Sequence, residues 1–134
     1  MLYETTTGAV LRAFYDVHND LGFGFLEAVY TRALAVAMAA AGLSFARQVP
    51  IPVWFRGTSV GDYRADFLVD RRVILELKVA RSIDDAHVAQ LTNYLKATDL
   101  EVGLLLNFGT RPQFRRVFFT NDRKKGHGFN GSDG

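Results

Sequence analysis

Apolar residues near the start of the chain recur at the three- and four-residue spacing of an amphipathic helix. The residues that would share its buried face are Val10, Leu11, Phe14, Val17 and Leu21. This spacing predicts a first helix over residues 5–20. Gly22 and Gly24 interrupt the pattern, and an Ala-rich segment then predicts a second helix over 26–41, with Gly42 as its C-terminal stop.

The rest of the chain shows mainly the alternating or wholly apolar runs of strands. We predict strands over residues 45–55, 63–69, 73–79, 100–108 and 113–119. Pro50 and Pro52 favour an edge position or a bend for the first of them, because proline donates no ladder hydrogen bond. A third helix is predicted over 84–97, between the third and fourth strands, with Ser82 or Asp84 as its cap.

The links between these strands are short and polar. Residues 56–62, with the sequence RGTSVGD, predict a turn, and so do Asn107, Phe108 and Gly109. The brief link at residues 70–72 predicts that the second and third strands form a hairpin.

The resulting element order, ααβββαββ, predicts a single α/β domain with one central mixed sheet flanked by helices. A chain of 134 residues suits one domain better than two. We assign this domain to residues 1–120 and predict a flexible polar tail over 121–134, where the sequence is rich in glycine.

Composition narrows the setting in which the protein works. There is no cysteine, which excludes disulfides and cysteine-ligated zinc. No apolar run approaches the roughly 20 residues of a membrane span, and the N-terminus lacks a secretory signal. A cytoplasmic protein with no membrane association is therefore expected. The 12 arginines against 4 lysines suit nucleic-acid phosphates, but a genome that favours arginine and alanine is the preferred interpretation of this excess.

Glu76 and Lys78 are the first candidates for chemistry. Residues two apart on a strand point to the same face, so both would project together from the otherwise apolar run VILELKVA. Glutamate and lysine are both scarce, with four of each in the chain, which makes a chance occurrence of this spacing uncommon. A surface ion pair remains the alternative interpretation.

Asp66 would lie beside Glu76 if residues 70–72 form the predicted turn, because the two are about equally far from its centre. Adjacent carboxylates in an apolar pair of strands repel each other unless a cation joins them. Hard oxygen ligands of this kind suit Mg²⁺ or Mn²⁺. Lys78 would then orient or deprotonate a water molecule, or stabilise charge on a phosphate.

Three further residues are weaker candidates when taken singly. Glu27 starts the second helix, where an acidic residue commonly stabilises the helix dipole. Gln90 and Tyr94 lie four apart on the third helix and share a face, as ordinary helix-surface residues also do.

Taken in order, these residues resemble a known family. Residues 24–30, GFLEAVY, have the form GxxExxY, and Asp66, Glu76-Leu77-Lys78 and the QxxxY element Gln90–Tyr94 follow. This set resembles the GxxExxY protein family, a small branch of the PD-(D/E)XK nuclease superfamily, and its QxxxY element resembles the RecB-like nucleases. The similarity covers roughly residues 5–119. Ala65 stands where the superfamily's name places proline.

The resemblance implies a restriction-endonuclease-like core and a role for each matching residue. Asp66 and Glu76 would ligate Mg²⁺ together with the main-chain carbonyl of Leu77, and Lys78 would position the attacking water. Glu27 would act on the metal through water or assist a second ion. Gln90 and Tyr94 would support the site and contact the phosphate backbone.

Other polar residues are weaker candidates for a functional role. His18, His87 and His127 have no metal-ligand spacing, and a helix-surface position is the favoured interpretation of His87. Arg111, Arg115 and Arg116 are interpreted first as a solvated strand face and second as a phosphate-binding patch.

The sequence thus predicts a metal-dependent nuclease that hydrolyses phosphodiester bonds, most readily in DNA. The alternative is a binding module for nucleic acid or protein that keeps the nuclease fold without cutting. Because no separate DNA-reading domain is visible in the sequence, a homodimer or a partner protein is a further expectation.

Overall fold

Three helices and five strands make up residues 3–124, the part of the chain that the computed structural model describes. The helices are α1 (Glu4–Leu21), α2 (Glu27–Ala40) and α3 (Asp85–Lys96). The strands are β1 (Phe45–Phe55), β2 (Thr58–Val69), β3 (Val73–Lys78), β4 (Val102–Phe108) and β5 (Pro112–Phe118). Their order confirms the predicted ααβββαββ arrangement of a single α/β domain.

The five strands form one mixed sheet in the order β1-β2-β3-β4-β5. Only the central pair, β3 and β4, is parallel, and α3 provides the crossover between them. All other neighbours are antiparallel. Strand β1 lies at an edge, as Pro50 and Pro52 predict, so the missing N–H groups cost no hydrogen bonds within the sheet interior.

Two predicted turns are wrong in extent. Between β1 and β2 only Arg56 and Gly57 form the turn, with φ angles of 51° and 78°, and residues 58–62 are already strand. Two successive positive φ angles suit a tight hairpin, so a longer polar loop is unnecessary. Asn107 and Phe108 also belong to strand β4, because the side chain of Asn107 is buried and hydrogen-bonded rather than turned to water.

The helices cover the two faces of the sheet. Helices α1 and α2 pack on one face against Val73, Leu75 and Leu77 of β3. Helix α3 packs on the other face, against a cluster that includes Ile74 and Leu105. Glu76 and Lys78 alternate with the first set along β3 and therefore point to the α3 side.

The predicted hairpin at residues 70–72 is present. Asp70 and Arg71 have φ angles of 53° and 56°, and Val69 pairs directly with Val73. This register brings Asp66 to the level of Glu76, as the sequence predicts.

The chain beyond β5 begins with a 3-10 turn over Asn121–Arg123. The Lys124 ammonium donates hydrogen bonds to the carbonyl oxygens of Thr98 (2.8 Å) and Leu100 (2.7 Å), which ties this turn to the end of α3. The remainder of the predicted tail, with His127, lies outside the described residues. Among residues 3–124, no helix is both long and apolar enough to cross a membrane.

Candidate metal centre

The β2–β3 ladder ends just before the two candidate carboxylates. Its last main-chain pair is Phe67 with Leu75, and Asp66 and Glu76 would be the next. Instead, the Asp66 carboxylate accepts a hydrogen bond from the Leu77 main-chain N–H at 2.7 Å. The Asp66 side chain thus replaces a main-chain carbonyl as the acceptor, and the main-chain pairing of β2 with β3 ends at the two carboxylates.

Glu76 is an acidic side chain held in the interior, with 6% of its surface exposed. Burial raises its pKa to about 9, helped by a side-chain hydrogen bond to Asp66 and by the Asp66 charge. The nearby Lys78 ammonium opposes this rise, but does not outweigh it. Without an ion, Glu76 therefore keeps its proton near neutral pH.

The Glu76 carboxyl also contains an oxygen, Oε1, that is buried and has no hydrogen-bond partner among the described residues. A buried oxygen with no partner is unfavourable unless another group satisfies it. Mg²⁺ and Mn²⁺ bind oxygen ligands of this kind. The residues present therefore fit a hard divalent cation.

Helix α3 presents two of the predicted site residues to this centre. The Lys78 ammonium donates to Gln90 Oε1 at 3.4 Å, a long bond that links the end of β3 to the helix. Tyr94, one turn further along, is 5% exposed. Burial, followed by the charges of Glu76, Tyr63 and Asp66, raises the pKa of Tyr94 to about 12. Its hydroxyl stays protonated and available as a donor.

Glu27 is the first residue of α2, the helix that packs on the face of the sheet opposite α3. Partial burial of its carboxyl raises its pKa, the Asp66 charge raises it further, and Lys78 lowers it. These couplings place Glu27 in the same electrostatic environment as Asp66 and Lys78.

The loop before Glu27 is held by a tyrosine from the GxxExxY element. The buried Tyr30 hydroxyl donates to the Gly22 carbonyl at 2.6 Å and accepts from the Phe25 N–H at 3.4 Å. The Tyr30 ring stacks on Phe108 of β4, with centroids 4.5 Å apart. This tyrosine fixes the α1–α2 connection on the sheet and thereby the start of α2.

The structure brings all six predicted site residues to one region, but not all to one point. Within residues 3–124, no three Asp, Glu or His side chains are grouped closely enough to hold an ion by themselves. Asp66 and Glu76 are thus the side chains that could bind an ion directly.

Two positioning residues were missed by the sequence analysis. Fully buried Asn107 accepts from the Ala80 N–H at 2.8 Å and donates to the Ala80 carbonyl at 2.9 Å. It fixes the chain just after Lys78, its register partner across the sheet. At Gly109, an added Cβ would lie 2.5 Å from the Ala80 oxygen, so a side chain is excluded there. The available signal was an asparagine inside an otherwise apolar strand.

A further surface next to Glu27 was also missed. Phe23, Phe25 and Leu26 are 62%, 47% and 79% exposed, so the α1–α2 loop presents apolar side chains to solvent. The hydrophobic pattern did not predict this exposed surface, because these residues continue the apolar content of both helices.

Two histidines among the minor candidates make structural contacts. His87 forms a reciprocal cap with Asp84: the His87 N–H donates to Asp84 Oδ1 at 3.1 Å, and the Asp84 N–H donates to His87 Nδ1 at 3.2 Å. His18 Nε2 lies 2.8 Å from the Gly109 carbonyl oxygen. Arg115 is exposed on β5, while the Arg116 guanidinium lies over the Phe114 ring, 6.0 Å from its centroid.

A known protein family matches most of this chain. A sequence profile of the PD-(D/E)XK nuclease superfamily matches residues 4–117. The chain therefore belongs to the PD-(D/E)XK nuclease superfamily. Nucleases of this superfamily generally use divalent metals.

A solved structure with a similar fold is described as "Crystal structure of SSO0001". The two share 15% sequence identity with a TM-score of 0.51. The match covers 90% of this chain and 62% of the other, so this chain spans less than two thirds of that protein. At this identity the likeness concerns the fold alone. No curated protein matches the sequence significantly.

Proposed function

We propose that this protein is a metal-dependent nuclease of the GxxExxY branch that hydrolyses phosphodiester bonds in DNA. The single observation that carries the proposal is the Asp66–Glu76 pair with Lys78 beside it, in which a buried Glu76 oxygen has no hydrogen-bond partner among residues 3–124. Superfamily membership supports the nuclease chemistry. The preferred cofactor is Mg²⁺, with Mn²⁺ as a substitute.

In this proposal Asp66, Glu76 and the Leu77 carbonyl hold the ion, and Glu27 acts through water. A bound divalent ion would polarise the phosphate and lower the pKa of a water molecule. The Leu77 N–H keeps the Asp66 carboxylate in one orientation, so its free lone pairs face the site without rearrangement. Preorganised ligands of this kind reduce the reorganisation that the reaction requires.

Lys78 and Tyr94 supply the protein's own charge and proton donors. The Gln90 amide oxygen restrains the Lys78 ammonium, which orients the attacking water and balances the negative charge that develops on the phosphate. Tyr94 keeps its proton at every physiological pH and can donate to a phosphate oxygen. Glu27, at the start of α2, is the remaining acidic residue of the proposed site.

Cleavage assays test this proposal. The full chain is incubated with supercoiled, linear duplex and single-stranded DNA, with Mg²⁺, with Mn²⁺, or with chelator. We expect cutting only with a divalent ion, and loss of cutting in Asp66→Ala and Lys78→Ala without unfolding. Asp62→Ala, an exposed aspartate on the same strand, is the matched control and should cut normally.

The alternative is a module that binds nucleic acid or protein and does not cut. It predicts DNA binding or partner capture that survives Asp66→Ala and needs no divalent ion. Full cutting by both site variants would overturn the site assignment. The cytoplasmic setting and the homodimer or partner protein stay predictions, the second of which analytical ultracentrifugation tests directly.

A further inference from the structure

A groove of about 650 Å³ runs along α3 beside the metal centre. We call it the α3 groove. The residues of its lining that matter here are Tyr63, Gln90, Tyr94, Lys96, Phe119 and Arg123. Its volume falls within the roughly 300–1,000 Å³ typical of sites for small organic molecules, so it can hold a group of nucleoside size.

The groove is continuous with the metal centre through α3. Gln90 lines the groove and also accepts the hydrogen bond from Lys78. Tyr94 lines it as well, and the charges of Glu76 and Asp66 act on the Tyr94 hydroxyl. A strand with its scissile phosphate at Lys78 would therefore pass its neighbouring nucleotide into the groove.

Tyr63 gives the groove an aromatic surface. Its side chain is 48% exposed, and its ring packs against Tyr94 with centroids 5.6 Å apart at 44°. Contact with Tyr94 supports the ring from within the protein, while about half of the residue stays open to solvent. A supported, open aromatic ring is a surface on which a nucleic-acid base stacks regardless of its sequence.

Lys96 and Arg123 make the groove basic. Both lie over the Phe119 ring, with Lys96 Nζ at 5.3 Å and the Arg123 guanidinium at 4.6 Å from its centroid. Among residues 3–124 neither forms an ion pair with an acidic side chain. Lys124, by contrast, is occupied with main-chain carbonyls and anchors the turn that carries Arg123. Within the part of the chain that the structure describes, the lining contains no acidic residue, which favours an anionic occupant.

We propose, on the basis of the proposed nuclease function, that the α3 groove holds an unpaired nucleotide of the DNA strand next to the scissile phosphate. Its base stacks on Tyr63, and its phosphates lie at Lys96 and Arg123. A base inside a duplex is stacked on its neighbours and cannot reach Tyr63 without leaving the helix. The protein therefore prefers single-stranded or frayed DNA to an intact duplex.

Binding measured without divalent ions tests the groove independently of cutting. Fluorescence anisotropy compares a labelled single-stranded oligonucleotide with its blunt duplex. We expect tighter binding of the single strand, and about tenfold weaker binding after Tyr63→Thr, which removes the ring but keeps a strand-forming side chain. Tyr63→Phe keeps the ring and should bind as the unmodified protein does.

The phosphate contacts are tested by salt dependence. The double variant Lys96→Ala/Arg123→Ala should reduce the slope of log affinity against log salt by about 1.4, since each phosphate contact on a single strand contributes about 0.7. The matched control, Arg12→Ala/Arg32→Ala, removes two exposed charges from α1 and α2 on the opposite face and should leave the slope unchanged.

The outcomes separate this inference from the nuclease proposal. Equal affinity for single strand and duplex, or unchanged binding in both groove variants, overturns the inference even if the protein cuts DNA. Groove-dependent binding of single strands by a protein that never cuts supports the groove as the site of an unpaired nucleotide, and rejects both the nuclease proposal and the scissile phosphate beside the groove.

Discussion

The Asp66 carboxylate accepts a hydrogen bond from the Leu77 N–H across the end of the β2–β3 ladder, at 2.7 Å. This contact joins the two halves of the PD-(D/E)XK motif. It fixes the orientation of Asp66 against β3, the strand that also carries Glu76 and Lys78. This one hydrogen bond therefore both lies where the β2–β3 pairing ends and orients a carboxylate of the candidate site.

Replacing Asp66 should separate these two roles. Asp66→Asn keeps an oxygen that can accept from Leu77, so we expect near-normal stability but at least about 100-fold slower cutting, since the ligand charge is lost. Asp66→Ala also leaves the Leu77 N–H without its acceptor and should lower the free energy of unfolding by about 1–3 kcal/mol more. Urea denaturation of the metal-free variants near neutral pH measures the difference. Equal stability would mean that the hydrogen bond contributes nothing to the fold.

Glu76 should make the metal-free protein less stable as pH rises. Its pKa is raised in the folded state, from the ordinary 4.5 to about 9, so the folded protein holds a proton that the unfolded chain releases. The stabilisation is fully present below about 4.5 and is lost progressively as pH rises to about 9. The raised pKa of Glu27 acts in the same direction. Thermal unfolding across this range should show a falling transition temperature.

Two comparisons check that Glu76 causes this effect. Glu76→Gln is neutral at every pH and can still donate to Asp66, so its stability should depend less on pH. Added Mg²⁺ should raise the transition temperature of the unmodified protein more at the alkaline end, where the ion no longer competes with a proton. A pH profile that is identical in the unmodified protein and Glu76→Gln would contradict the assignment.

Tyr30→Phe should weaken the site without removing a ligand. The ring keeps its stacking on Phe108, but the Gly22 carbonyl loses its donor and the Phe25 N–H its acceptor. We expect a loss of about 1 kcal/mol in the free energy of unfolding. Because the start of α2 is less restrained, cutting should also require a higher half-saturating Mg²⁺ concentration. Tyr15→Phe, a half-exposed tyrosine on α1, is the control and should change neither quantity.

Local sequence patterns were sufficient to predict most of the secondary structure. The spacing of apolar residues predicted all three helices and, apart from the early start of β2, the strands to within about two residues. The short link at residues 70–72 predicted the register of Asp66 with Glu76, because a tight hairpin fixes which residues face each other. The alternation along β3 predicted that Glu76 and Lys78 point to the same side.

Residues whose role depends on distant partners were not predictable in this way. Asn107 was predicted both at the end of a strand and in a turn; the strand prediction is confirmed, and the side chain is buried because Ala80 supplies both a donor and an acceptor. Residues 58–62 were expected in a loop, yet they pair with β1 in a hairpin that needs only Arg56 and Gly57 to turn.

The sequence by itself determined the order of elements, the hairpin and the strand that carries Glu76 and Lys78, because these follow from periods of two and about 3.6 residues and from local turn chemistry. Only the tertiary structure decided that a Glu76 oxygen is buried with no partner among the described residues, and that Tyr30 holds the loop before Glu27. It also decided that Tyr63, Lys96 and Arg123 line one groove. Burial and groove shape arise when segments far apart in the chain pack together, and no local pattern encodes which side chains will meet there.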